Sequence, residues 1–322
     1  MREWFLGSSV LFGLIAVSGV EAEELQPGDA AVIVRADVEF GLRDREITRL
    51  EVGAKVLVTE VSDPWIGCAV MVGGKQELGW IHKRDVIRIV AWEDLAPATD
   101  ADSAVDAFRK MNVRVDRDGR GRIHAVDATE AVLPDDALAY CQFFEHLVVL
   151  DLGGTEVGDA GLKHLQGLAF LERLYLDHTR VTDLGLKHLQ SLQKLEVLVL
   201  EGTEITGAGL ETIKPLRELR TLNLSFCAVQ DEDLRHLSEL SKLEVLTLQH
   251  SLISGEGLKY LRPIRPLRVL NLDHSEVQDA GLVHLEGMPS LRMLHVRETA
   301  ISQAVADHLD GTLTSCAIYL SS

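Results

Sequence analysis

From Leu147 onward, leucine returns at the first and fourth places of a 24-residue unit seven times without a break. The first places are Leu147, Leu171, Leu195, Leu219, Leu243, Leu267 and Leu291, and the fourth are Leu150, Leu174, Leu198, Leu222, Leu246, Leu270 and Leu294. The sixth place is leucine as well, from Leu152 to Leu272, until Val296 ends the column. Alternation of this kind fits a short strand with one buried face. An aliphatic residue then recurs (Val157, Val181, Ile205, Val229, Ile253, Val277, Ile301), followed by apolar residues three apart, as in Leu186, Leu189 and Leu192. That spacing predicts about two turns of helix with one inward stripe. A unit of strand, loop, short helix and loop cannot bury its apolar side alone, so neighbouring units must stack. The prediction is an α/β solenoid with parallel strands inside and short helices outside.

The polar columns have assignable local work. Thr155, Thr179, Thr203, Ser251, Ser275 and Thr299 hold the ninth place, and Cys227 holds it once. Their side chains are predicted to bond backbone groups freed as the chain turns out of the sheet. Asp159, Asp183, Asp231 and Asp279 suit helix starts, both as caps and as charges facing the helix dipole. Counting back 24 from Leu147 puts Ile123, Val126 and Ala128 on strand columns, with Leu133, Leu138, Cys141 and Phe144 on later inward ones. Counting forward puts Ile318 and Leu320 on strand columns, so residues 316–320 should add a last strand. Nine strands spaced by about 4.8 Å make an inner edge of roughly 40 Å.

This unit resembles the leucine-rich repeat, in which asparagine or cysteine does the work of these ninth-place hydroxyls. The resemblance implies that function rests on a curved surface more than on a pocket. Two segments before the repeats differ in grammar. Residues 1–22 hold Arg2, an apolar run over residues 4–17 and then Val20, Glu21 and Ala22, the pattern of a secretory signal. The run is short for a membrane span, and an uncleaved anchor is the alternative. Residues 23–95 alternate short β-branched runs (31–34, 55–61, 66–72, 80–81 and 86–90) with Gly, Asp and Pro, which implies a small barrel. Leu50-Glu51-Val52-Gly53, Val56-Leu57-Val58, Trp65 and Gly79-Trp80-Ile81 resemble the bacterial Src-homology-3-like domain, some relatives of which bind cell-wall peptides or glycans. Trp65, Trp80 and Phe40 could line a groove, although tryptophans in so small a barrel more often form its core.

Residues 96–122 read as a linker, a helix capped by Ser103 with Ala104, Val105, Ala107, Phe108 and Met111 available for packing, and the start of a hairpin. The repeats then fill residues 123–322. The Asp116-Arg117-Asp118-Gly119 run does not make a calcium loop, because Arg114 and Ala125 fall where the first and twelfth oxygen ligands belong. A glycine-containing turn fits better. The hairpin, the exported start and the Thr-x-Val-Thr-Asp-x-Gly-Leu repeats together resemble secreted leucine-rich repeat proteins of planctomycete-type bacteria.

Fifty acidic against 32 basic residues give a net charge of −18, and removal of residues 1–22 leaves −17. Nucleic acid is disfavoured as a partner on that balance. Lys259, Arg262, Arg265 and Arg268 read as solvated loop charges. Cys68, Cys141, Cys227 and Cys316 lie too far apart in the register to pair and are predicted as buried thiols.

His164, His188, His236, His284 and His308 share the eighteenth place, which repeat copying explains without a metal. His178, His250 and His274 share the eighth place, beside Asp177, Gln249 and Asp273. His250, Asp273, His274 and His295 are the candidate set for a metal or catalytic edge; polar side chains on an open edge more often meet water or a partner. No nucleophile elbow, phosphate loop, metalloprotease helix or paired-cysteine motif is present.

The inner sheet offers a third column of Val149, Arg173, Val197, Thr221, Val245, Val269 and Met293, and a fifth of Asp151, Tyr175, Val199, Asn223, Thr247, Asn271 and His295. Branched residues also sit on exposed strands merely because strands favour them. The candidate partner-binding residues are Tyr175, Asp177, His178, Val199, Glu201, Asn223, Phe226, Gln249, His250, Asn271, Asp273, His274 and His295, with Tyr175 and Phe226 as hot spots. The expected function is a non-enzymatic protein- or peptide-binding scaffold of the bacterial envelope, without cofactor or metal. Cell-wall material is a candidate second contact through the barrel, and a membrane contact arises only if residues 1–22 stay uncleaved. The alternatives are a structural envelope component, or an accessory subunit or hydrolase using the histidine edge.

Overall fold

The computed structural model describes residues 97–320 apart from Glu130 and Thr314, and before them seven strand segments between Ala30 and Ile89. The chain divides into two compact units, Met1–Arg88 and Ile89–Ser322. The signal at residues 1–22, the Cys68 thiol and the groove or core role of Trp65, Trp80 and Phe40 fall outside the described residues.

The first unit holds β1 (Ala30–Ile33), β2 (Val38–Leu42), β3 (Arg45–Leu50), β4 (Lys55–Ser62), β5 (Trp65–Val72), β6 (Lys75–His82) and β7 (Val86–Ile89) in one sheet of order β3-β2-β6-β5-β4-β1-β7. The β-branched runs coincide with five of these strands. β2 and β3, a hairpin with a shifted register at Phe40 and Gly41, are additional to them.

The second unit opens with α1 (Ala101–Lys110). Its N-cap is Asp100 rather than Ser103: Asp100 Oδ1 accepts from Ser103 N at 2.8 Å, and Ser103 Oγ accepts from Asp100 N at 3.1 Å. Ser103 is the third helical residue, the reciprocal half of a capping box. Ala104, Val105, Ala107, Phe108 and Met111 are buried, and the Phe108 ring meets Phe144 edge-on at 5.7 Å, closing the open end of the first coil. β8 (Arg114–Arg117) and β9 (Ile123–Asp127) form the expected hairpin. Asp118 serves its turn, accepting from Arg120 N, Arg122 N and Arg122 Nε. The Arg122 side-chain hydrogen bond holds that carboxyl down at about 2.

From β9 the strands run parallel at 24-residue spacing: β10 (Val149–Asp151), β11 (Arg173–Tyr175), β12 (Val197–Val199), β13 (Thr221–Asn223), β14 (Val245–Thr247), β15 (Val269–Asn271), β16 (Met293–His295) and β17 (Ala317–Tyr319). Register is unshifted throughout, so Leu150, Leu174, Leu198, Leu222, Leu246, Leu270 and Leu294 stack in one line, each fully buried. The returns are α2 (Asp159–Leu162), α3 (Asp183–Leu186), α4 (Gly207–Thr212), α5 (Asp279–Leu282) and α6 (Gln303–Thr312), with 3-10 turns at Asp135–Phe143, Asp231–Glu239 and Glu256–Leu261 in the other coils. The hydroxyl column works as predicted: Thr155, Thr179, Thr203, Ser275 and Thr299 each donate to the carbonyl three residues earlier. Ser251 Oγ finds no partner. Cys227 instead donates from Sγ to Leu200 O of the preceding coil at 3.1 Å; it, Cys141 and Cys316 are buried.

The aspartates differ from expectation. Asp159, Asp183, Asp231 and Asp279 are the first residues of their helical turns, not the caps, and their carboxylates reach forward into the next coil. Asp159 accepts from Thr182 N and Thr182 Oγ1 at 2.8 and 2.7 Å, and Asp183 does the same for Thr206 at 2.9 and 2.6 Å. Each hydroxyl in turn accepts from a backbone N–H of its own helix, from Leu184 N and Ala208 N. Asp231 takes Ser254 N, Ser254 Oγ, Gly255 N and Gly257 N. Burial pushes the Asp231 carboxyl up, but these hydrogen bonds outweigh it and hold the group below its ordinary value. Asp279 takes Ser302 N, and Asp135 takes Gly158 N. The helix starts are thus cross-capped from the coil before, a stitch repeated along the outer side. Where this place is Gly207 or Gly255, the next coil carries Gln230 or Gln278 instead of Thr or Ser. Asp233 fills the room beside Gly207, and at Gly255 the chain closes directly on Gly281, where a Cβ would lie 2.5 Å from the Gly255 Cα.

Candidate functional site

The concave face is the solvent-facing surface of β9–β17, and its edge is the corner just past each strand. At that corner each of the seven repeats from Leu147 onward places its eighth residue in the left-handed region: Gly154, His178, Gly202, Phe226, His250, His274 and Glu298, at φ between 52° and 69°. The conformation lets each N–H from Gly154 to His274 donate to the carbonyl of the seventh residue one coil on, as in His178 N to Glu201 O at 2.7 Å and Phe226 N to Gln249 O at 2.8 Å. The sheet ladder therefore continues one bond past the strands. Glycine adopts this conformation at least cost, and a bulky side chain is strained by it. Gly154 and Gly202, in the same column as His178, were the sequence signal for this corner.

Five side chains other than glycine stand there, and three form a column of rings. Phe226 stacks on His250 at 4.2 Å with 18° between planes, and His250 on His274 at 4.3 Å with 8°. All three residues are exposed, Phe226 by 51%. His178 leans over Gly202, where a Cβ would meet its Nδ1 at 2.5 Å.

The fifth column divides between structure and surface. Asn223 Oδ1 accepts from Ser225 N, Asn271 Oδ1 from Asp273 N and Asp151 Oδ1 from Gly153 N, each closing the turn out of its strand. Asn223 also donates from Nδ2 to Glu201 Oε2 at 2.9 Å. Tyr175 and Val199 lie between, half-buried, as does Gln249 of the seventh column. At the amino-terminal end Asp127, Asp151 and Asp177 gather. Burial first, then the charges of Asp127 and Asp177, push the Asp151 carboxyl up to about 6.

At the other end two expectations change. His295 is 1% exposed and Asp273 is 6% exposed, so neither presents a surface. His295 stacks on Tyr319 at 4.4 Å, neither ring nitrogen has a hydrogen-bond partner, and burial lowers its pKa. Asp273 Oδ1 accepts from Arg297 N at 2.6 Å, a backbone task. The structure thus places His250 and His274 in the exposed ring column, with His295 stacked apart from them on Tyr319. Among the described residues no group of three or more His, Cys, Asp or Glu side chains could hold a metal ion.

The eighteenth-place histidines bond along the outside: His188 Nδ1 lies 2.7 Å from Gln166 Nε2 and His308 Nε2 lies 3.3 Å from Glu286 Oε1. His236 differs from the expected outer position, being 7% exposed with Nδ1 unpartnered. Among the described residues no helix is long and apolar enough to cross a membrane.

Comparison with known proteins agrees with this geometry. Residues 169–229 match a family model described as leucine rich repeat, and residues 145–165 match a second one of the same description. The chain carries leucine-rich repeats. Among solved structures, an internalin C2 from Listeria monocytogenes is similar at 20% identity and a TM-score of 0.53, covering 62% of this chain and 81% of that one. An internalin from the same organism is similar at 19% identity and a TM-score of 0.47, covering 57% of this chain and 52% of that one. At 20% identity the first likeness shows the fold, an α/β solenoid with parallel strands. No curated protein matches.

Proposed function

We propose that the solenoid is a non-enzymatic scaffold of the bacterial envelope that captures a protein or peptide on its concave sheet and on the ring column at its edge. The observation that carries this is Phe226, a large aromatic side chain half exposed at a left-handed corner where glycine would be less strained. The fold needs the corner; it does not need the ring. Aromatic anchors of this kind carry a disproportionate share of binding energy. In the same reading the N-terminal unit is a Src-homology-3-like barrel giving a second contact, to cell-wall material, and residues 1–22 direct export.

Capture of a partner from an envelope extract, followed by titration of the purified pair, tests the concave assignment. Tyr175→Ala with Phe226→Ala should weaken binding by about 2 kcal/mol or more while the fold persists, since neither side chain is buried in the core. His188→Ala on the outer side should change little. Unchanged affinity in the concave variant together with loss in the outer one moves the site to the convex face.

A further inference from the structure

The ring column is interrupted at one step, and the interruption has a shape. His178 and Phe226 are two coils apart, a separation of roughly 10 Å at the spacing of parallel strands, and Gly202 between them contributes no side chain. His178 leans in from one side. On the other side Phe226 stacks through one face on His250, and its second face looks toward the glycine step. Glu201 precedes that glycine, half-buried, with Oε2 held by Asn223. Beside it the Ser225 hydroxyl is fully buried and has no hydrogen-bond partner. That hydroxyl lies below the surface, so a partner that filled the step would find a planar π face and a carboxylate together.

We propose that the Gly202 step receives the guanidinium of an arginine from the partner's chain, stacked on Phe226 and paired with Glu201. This rests on the concave-face reading and names the partner's chemistry. A guanidinium is flat, so it fits between stacked rings, and its charge favours both a ring face and a carboxylate. Lysine offers the charge without the plane. An aromatic side chain offers the plane without the charge, and Asp127, Asp151, Asp177 and Glu201 make the neighbouring half of the concave face acidic.

The test is fluorescence anisotropy of the full chain with three labelled peptides in which glycine alternates with arginine, lysine or tryptophan, at low ionic strength. The arginine peptide should bind at least fivefold tighter than either of the others. Phe226→Ala should cost fivefold or more. Gly202→His should do the same by continuing the ring column in a backbone conformation that His178, His250 and His274 already hold. Thermal melts establish that both variants fold, and Phe226→Ala alone decides the matter if Gly202→His does not. Equal binding of the arginine and lysine peptides, insensitive to Phe226→Ala, would reduce the effect to bulk charge and overturn the proposal. Preference for tryptophan, or no binding of any peptide, also overturns it. Partner capture that depends on Phe226 while the peptides show no arginine preference would sink this inference and leave the concave-face reading standing.

Discussion

Asp183 of one coil holds Thr206 of the next by two hydrogen bonds, accepting from its backbone N–H at 2.9 Å and from its hydroxyl at 2.6 Å. The hydroxyl passes the interaction on by accepting from Ala208 N, so one carboxylate organises the start of the neighbouring helix. A charge placed where a helix begins also faces the positive end of its dipole.

Asp183→Ala should therefore destabilise α4 of the following coil more than its own helix. A cap removed in this way costs about 1 kcal/mol. Hydrogen exchange should show the loss of protection at Ala208 and Gly209, with Leu184 nearly unchanged. Loss confined to α3 would mean that the carboxylate serves its own helix.

Leu222→Asp places a carboxylate at a fully buried site on β13, between Leu198 of β12 and Leu246 of β14. No cation is supplied to pair it, so the solenoid should lose about 3 kcal/mol or more. A urea midpoint that hardly moved would contradict the stacked-leucine core.

Asp151 predicts a pH dependence of unusual sign for a carboxylate. Its folded pKa, about 6, lies above the ordinary value of 3.8, so the folded state holds the proton more tightly than the unfolded chain. The contribution is present below the unfolded value and is lost as pH rises through the folded one. Asp151→Asn keeps an acceptor for Gly153 N and removes the charge from the cluster with Asp127 and Asp177. It should stabilise the protein by on the order of 1–3 kcal/mol at pH 7.5 and by little at pH 4. Stabilisation equal at both pH values would show that the charge is not the cause.

The periodicity contained the fold because burial is periodic. A leucine column kept over seven units admits one register, and the degenerate ends at Val126 and Ile318 were found by counting alone. The ninth-place hydroxyls were equally legible, since their bonds close within three residues. What needed the tertiary structure were contacts between residues 22 to 24 apart, whose direction no single repeat encodes. Asp159 looks like a cap for its own helix and caps its neighbour's. The trace of that stitch was there, in the pairing of aspartate with Thr or Ser and of Gly207 and Gly255 with Gln230 and Gln278, but its meaning depends on how coils stack. The candidate site divides in the same way. Tyr175 could be placed on the inner side from strand alternation, and Phe226 only at the edge just beyond its strand. The left-handed corner, the stacking of Phe226 on His250 and the burial of His295 against Tyr319 arise only when neighbouring coils bring equivalent places one strand spacing apart.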